Sequence, residues 1–375
     1  MKFLVEIKEV TTKKELKRFI QFPNRLYANE PNWTPDLLSD EMMNLRKDKN
    51  PAFEYCEARY FMAYRNGESV GRIAGILSYK ANQTWNQNRM RFSRLDFIDD
   101  DEVVDALFDA VIRWAREKGC TELHGPIGFC DMDKEGMLID GFEEPNLFFT
   151  MYHFPYYLKQ LTRLGFEKAT DWLEFRVYVP EQIPERLSRL SDVVLRRQKL
   201  TKFEFSSKRE LEPKIESVFR LINDAYQHLY GVVELTPAQI QHYVKQFLPF
   251  VQPDFLPILL DQSGEVAAFG LLMPQLGEAC KKGKGRLFPI GWYYFLKALR
   301  TFSVMDMYLV AVRPDLQNCG VDAILMTEMI KAAQKHGVRY AETGPELETN
   351  LKIQGLWKNF HAEQHKRRRC FIKTL

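Results

Sequence analysis

The sequence predicts a mixed α/β (α+β) protein of two domains in tandem, and three observations predict it. The 375-residue chain is longer than one core of ordinary size organises. Its two halves open alike, each with a short strand, a capped amphipathic helix and a hairpin. Each half then offers a strand, a long helix closed by glycine, and a strand that runs into Gly-Pro.

The elements follow in order. Residues 3–27, FLVEIKEVTTKKELKRFIQFPNRLY, read as an alternating strand, a Thr-rich helix start and an amphipathic helix. Residues 203–226, FEFSSKRELEPKIESVFRLINDAY, repeat that order with Ser at the cap. Hairpins are expected around Asn66-Gly67 and Ser263-Gly264, where the second residue accepts the positive φ of a tight reversal. Next come RMRFSRLDFI, DEVVDALFDAVIRWAREKG and TELHGP in the first half, and VMDMYLVAV, VDAILMTEMIKAAQKHG and RYAETGP in the second. Gly119 and Gly337 stand where a helix C-terminus turns left-handed. The stretch VPEQIPERLSRLSDVVLRRQKL, with Pro180 and Pro184, reads as a linker and places the domains at 1–180 and 181–375. Only the first half carries a long insertion after Gly125-Pro126.

Composition bounds the function. With 45% hydrophobic and 27% charged residues the chain has the make-up of a folded globular protein. Its 53 basic and 50 acidic residues leave a net charge of +3, so no global field draws it to nucleic acid and any anion site must be local. Glu6, Lys8 and Glu9 interrupt the N-terminus, and no apolar run approaches the ~20 residues of a spanning helix, so a cytoplasmic location is expected. Six scattered cysteines read as free structural thiols. His361 and His365 fall in an expected strand, where they read as solvated rather than as metal ligands, and no metal is expected.

The order strand, helix, hairpin, strand, helix, strand, helix, strand resembles the GNAT acyltransferase fold, here twice over essentially the whole chain. Segments such as NPAFEY, VGRIAGI, HGPIGF, EGMLIDGFEEP, YYLKQLTRLGF, RLFPIGW, VRPDLQNCGVDA and RRRCFIKTL look like a bacterial family of tandem GNAT proteins. Bacterial enzymes that N-acylate sphingoid bases are similar in organisation. The resemblance implies a mixed twisted sheet flanked by helices in each domain, with CoA or acyl-CoA as co-substrate and an amine as acyl acceptor. Its phosphate-binding signature, Arg/Gln-x-x-Gly-x-Gly/Ala, lies between the fourth strand and the following helix. Gln317, Asn318, Cys319, Gly320, Val321 and Asp322 stand there in this chain. Such a site needs small residues and free N–H groups at a helix N-terminus, where the dipole favours an anion. Asp322 departs from the pattern and is read as a cap that faces away. The resemblance further implies that Val310 and Val312 offer backbone groups to the pantetheine arm and that Asn350 lies near it. The plainer readings are a Pro-containing strand-to-helix loop and an ordinary N-cap. In the first half Asp99, Asp100, Asp101 and Glu102 occupy the equivalent place, which suits a helix cap and repels phosphate, so that domain reads as degenerate for CoA.

Acyl transfer to an amine needs a base, donors for an oxyanion and an acid for the thiolate. Glu342 is the candidate base, with a structural carboxylate as the alternative, and Tyr308 is the candidate acid. Tyr152, Tyr156 and Tyr157 are further options, each also readable as core. The tyrosine usual in the last helix is replaced by Leu161 in the first half and, nearest, Trp357 in the second. Residues 281–300 set Lys281, Lys282, Lys284 and Arg286 before Phe288, Trp292, Tyr293, Tyr294 and Phe295. That pattern fits either a peripheral membrane contact or a basic loop leading into a buried helix. The reading of the whole is an acyl-CoA-dependent N-acyltransferase with a small-molecule or lipid amine as acceptor. The rival is a non-catalytic binding protein with decayed sites. An aminoacyl-tRNA-dependent enzyme is disfavoured by the balanced charge.

Overall fold

A computed structural model describes residues 5–375, so Phe3 and Leu4 of the first expected strand lie outside the described residues. The chain forms two compact units. The first takes the sequence up to Leu173 together with Leu276–Leu296 and His365–Leu375; the second takes Glu174–Gln275 and Lys297–Gln364. The backbone therefore passes from one to the other at 173/174, 275/276, 296/297 and 364/365.

In the first unit, the strands Glu6–Glu9, Cys56–Arg65, Glu68–Ser78 and Arg89–Phe97 pair antiparallel in that order. Arg89–Phe97 then runs parallel to Glu122–Gly125, which pairs antiparallel with the last strand, Ala362–Thr374. Local chemistry explains the boundaries. Thr12 Oγ1 accepts from Glu15 N–H while Glu15 accepts from Thr12 N–H, a reciprocal cap that starts helix Lys13–Leu26. Asn66 and Gly67, at φ 52° and 80°, make the tight reversal. Asp100 caps helix Asp101–Glu117, and its far end closes with Gly119 N–H on Arg116 C=O and Cys120 N–H on Ala115 C=O. This helix lies against the sheet because Gly71 and Gly75 leave room: a Cβ at Gly71 would meet Leu107 at 2.7 Å and one at Gly75 would meet Trp114 at 2.9 Å. Trp114, Leu107 and Val111 are thereby sealed from water, each stabilising the fold by roughly 1.5–3 kcal/mol.

The second unit repeats the plan. Thr201–Lys202, Ile258–Leu260, Val266–Pro274 and Val304–Val312 pair antiparallel; Val304–Val312 runs parallel to Tyr340–Thr343, whose other edge pairs with Arg176–Tyr178. Helix Val321–Lys335 buries Val321, Ile324, Leu325 and Met329 and ends on Gly337 with the same pair of closing bonds, Gly337 N–H to Gln334 and Val338 N–H to Ala333.

Three expectations change. The stretch read as a linker is helix Glu185–Arg197: Pro184 stands at its N-cap, and Leu187 and Val194 pack into the core beside Val321 and Ile324. The strand expected at the start of 203–226 is instead the two residues before it, Thr201–Lys202. His365 is half-buried, its ring 3.5 Å from Glu144, rather than solvated, while the alternation of the final strand turns the other set, Lys366, Arg368 and Cys370, inward. Among the described residues no cluster of three or more His, Cys, Asp or Glu is arranged to hold a metal, and no helix is long and apolar enough to cross a membrane.

Candidate functional site

The site is built on strand Val304–Val312. Its partner Val266–Pro274 stays in register from Ala268↔Val312 to Leu271↔Leu309 and resumes at Leu272↔Met307, so Tyr308 is the extra residue of a bulge. On the other edge, parallel pairing stops at Met307↔Thr343, with Gly344 N–H on Met307 C=O as the last bond. From Tyr308 onward that edge has no strand beside it among the described residues. Arg313 N–H donates to Ala267 C=O, so alternation turns the polar groups of Val310 and Val312 away from that neighbour and toward the open edge. Two side chains already reach them there: Tyr226 O–H donates to Val310 C=O at 3.0 Å, and Gln317 Nε2 to Val312 C=O at 3.2 Å.

The strand leads through a short turn, Pro314–Leu316, into helix Val321–Lys335. Asn318 and Gly320 take positive φ, 62° and 82°, and this double reversal brings the chain to the helix start beneath the side chains of Leu190 and Val194. A Cβ on Gly320 would stand 3.2 Å from Val194 as well as being strained, so glycine is required there. The N–H groups of Val321 and Asp322, first in the helix, have no acceptor within it. Gly320, not Asp322, is the N-cap, and Asp322 sits inside the first turn, which corrects its reading as a cap. Arg313 is tied back to Asp261 and Asp315 and offers no cation to this loop. Cys319 is exposed, whereas the other five free cysteines are buried.

Val310, Val312 and residues 317–322 thus share one strand, loop and helix N-terminus, with Tyr308 at the bulge. Tyr308 is half-buried, its ring edge-on to Phe247. Asn350 is the N-cap of helix Leu351–Trp357 but makes no side-chain cap bond. Glu342 is 3% exposed, and its Oε1 accepts from Nε and a terminal nitrogen of Arg176 at 2.9 and 2.8 Å. Arg176 in turn covers the Tyr340 ring at 4.8 Å.

Sequence reasoning passed over Glu346. It follows Gly344-Pro345, three residues beyond the last parallel pair. Burial pushes its carboxyl up to about 8 against the opposing pull of Trp357 Nε1–H, which donates to both oxygens at 3.0 and 3.1 Å. A carboxyl that titrates near neutrality, held in place by a buried indole, is suited to exchanging protons.

The equivalent edge of the first unit is occupied from within. Parallel pairing there ends at Arg91↔His124, after which Ile127 N–H donates to Phe92 C=O and Tyr157 O–H receives Phe97 N–H at 3.0 Å. Asp100, the cap of the following helix, is held by a two-pronged ion pair with Arg65. A groove of about 340 Å³ lies elsewhere in the second unit, between Lys202–Phe205 and the outer face of helix Val321–Lys335, and none of the residues above lines it.

Comparison with solved structures resolves the architecture. A tandem GNAT protein from the clavulanic acid biosynthesis pathway superposes over 99% of this chain and 98% of its own with a TM-score of 0.58, at 12% identity. The fold is that of a tandem GNAT protein. Two curated relatives match nearly end to end. Bacterial ceramide synthase of Caulobacter vibrioides is 29% identical over 381 residues, covering 98% of this chain and 96% of the relative. Protein YghO of Escherichia coli K12 is 26% identical over 376 residues, covering 98% and 95%. No family model matches the chain. In this chain the loop Gln317–Gly320 lies between the strand that carries the bulge, Val304–Val312, and helix Val321–Lys335.

Proposed function

We propose that the protein is an acyl-CoA-dependent N-acyltransferase whose acceptor is the amine of a lipid, with the CoA site in the second unit. The observation that carries this is the open edge at Val310 and Val312 leading through the loop Gln317–Gly320 to the N-terminus of helix Val321–Lys335, whose first N–H groups have no acceptor within the helix. The pantetheine arm pairs with the strand as an added edge, and the pyrophosphate takes the N–H groups of Val321 and Asp322. Asn350 stands at the start of the next helix, near the arm. The filled edge of the first unit supports assigning the ligand to the second. A relative named for ceramide synthesis favours a lipid amine as acceptor.

In this reading Glu346 takes a proton from the acceptor ammonium and the freed nitrogen attacks the thioester carbon. The C–S bond breaks, the thiolate takes a proton from Tyr308 or water, the nitrogen's second proton passes back to that same donor, and Glu346 releases its proton to solvent to complete the cycle. Glu342 keeps Arg176 in place, and its alternative assignment as base is tested by variants below.

Exposed Cys319 provides a direct check of the binding site. Free CoA is expected to slow alkylation of Cys319 at least ~10-fold, because a ligand at the helix N-terminus covers the thiol. At about 100 times its Kd the same ligand should stabilise the fold by about 2.7 kcal/mol. Cys319→Glu, a change at an exposed position, should abolish the stabilisation, which Cys319→Ser should keep. Gly320→Glu should also lose CoA binding, though positive φ makes it the less clean variant. Undiminished CoA binding by Cys319→Glu overturns the assignment. CoA binding without acyl transfer to any amine would leave the non-catalytic reading.

A further inference from the structure

The segment 281–300 holds six cations and no carboxylate. Its fold sorts apolar side chains in a way that helical spacing alone does not foretell. Helix Gly277–Gly283 ends on Lys284 and Gly285, both at positive φ, and Gly285 C=O accepts from Leu38 N–H. The chain doubles back so tightly that a Cβ on Gly291 would stand 1.8 Å from Arg286 C=O. Helix Gly291–Arg300 then turns Phe295 inward, edge-on to Phe148, while Lys281 Nζ binds Pro31 C=O. The inner side is thus anchored in the first unit. The outer side carries Phe288, Ile290, Trp292, Tyr293 and Leu296 at 77, 57, 47, 54 and 45% exposure, half of all the large exposed hydrophobic side chains among the described residues. The helix is therefore not a fully buried one: of its rings only Phe295 is buried, Tyr294 is half-buried, and Trp292 and Tyr293 are exposed.

We propose that this face docks on an anionic lipid bilayer. Lys282, Lys284, Arg286, Lys297 and Arg300 make no ion pair among the described residues and flank the exposed rings, so cations meet head groups where Trp and Tyr enter the interface. A second copy of the chain fits less well, since a two-fold contact would set five unpaired cations against the same five. The surface is independent of the acyl-transfer reading, because it needs neither CoA nor turnover.

Cosedimentation of the full chain with vesicles tests it, phosphatidylcholine alone against phosphatidylcholine doped with phosphatidylglycerol. Binding is expected on the doped vesicles at low salt and to fall at least ~10-fold when salt shortens the screening length. Each cation at such a surface contributes roughly a factor of five, so Lys282→Glu with Arg286→Glu should lose more than ~10-fold. Phe288→Ser with Trp292→Ser should lose binding too, and the tryptophan blue-shift on vesicles should vanish in Trp292→Phe. All these positions are exposed, and unchanged melting of the variants confirms that they fold. Absence of binding to doped vesicles, equal binding by the charge-reversed variant, or a dimer dispersed by the Phe288/Trp292 variant each overturns the proposal. Acyl transfer to a soluble amine, measured alongside, judges the reaction separately.

Discussion

Glu346→Gln is expected to lower kcat/KM by ~100-fold or more, the scale of a lost positioned base, and to change the shape of its pH dependence. The wild-type rate should climb with pH until it levels near pH 8, where burial has placed the Glu346 carboxyl, and the variant should lack that rise. Stability supplies a second readout. The folded pKa lies above the ordinary 4.5, so the protonated group favours the folded state. Its contribution is fully present below pH 4.5 and is lost as pH rises through about 8. Glutamine never ionises, so the Tm of Glu346→Gln should gain on wild type across that window. Glu342→Gln should behave in the opposite way. It removes the negative charge beside a mostly buried Arg176, at a cost of about 3 kcal/mol in stability, while the folded fraction keeps its turnover. A folded Glu342→Gln protein with ~100-fold lower turnover would return the base to Glu342.

Replacing Arg94 by Met should unfold the first unit more readily than any surface change. The Arg94 guanidinium, 3% exposed, lies between Glu41 at 3.1 Å and Asp133 at 2.6 Å, at an irregularity in strand Arg89–Phe97 where φ is 45°. Its removal leaves two buried carboxylates without their cation, for which about 3–5 kcal/mol is the usual loss. Burial alone would push the Glu41 carboxyl up, but Arg94 outweighs it and holds Glu41 at about 2. A depressed carboxylate stabilises the fold above its unfolded value of 4.5, and that stability is lost as pH falls toward 2. In the variant the stranded carboxylates prefer to be neutral. The Tm gap between wild type and Arg94→Met should therefore narrow on acidification below pH 4.5. A gap independent of pH would mean that packing, not charge, accounts for the loss.

What the sequence reveals follows the range of the interactions involved. The Thr12 cap, the Asn66-Gly67 reversal and the endings at Gly119 and Gly337 are legible because each depends on residues within one turn of chain. The loop Gln317–Gly320 is legible for the same reason, since only glycine takes the conformation before the helix without strain. The bulge at Tyr308 and the end of pairing at Thr343 are not, because both are set by neighbouring strands. Pro180 and Pro184 disguised helix Glu185–Arg197 as a linker, although Leu187 and Val194 stand one helical stripe apart. Glu346 carries no local mark at all: its proton affinity comes from burial, and its partner Trp357 belongs to the next helix. Periodicity likewise could not tell which side of GWYYFLKALR meets the core.

The last strand has a consequence for synthesis on the ribosome. Thr374 to Phe371 complete the sheet of the first unit against Glu122–Gly125, and Arg368 closes on Asn146 and Thr150. Translation at the usual pace separates residue 173 from residue 365 by roughly 10–40 s. Throughout that interval the nascent amino-terminal unit exposes a bare strand edge and a polar cavity awaiting its arginine, the kind of surface that pairs with foreign chains. Its sheet is therefore completed only once residues 371–374 have been made, and until then that one edge stays open to pairing.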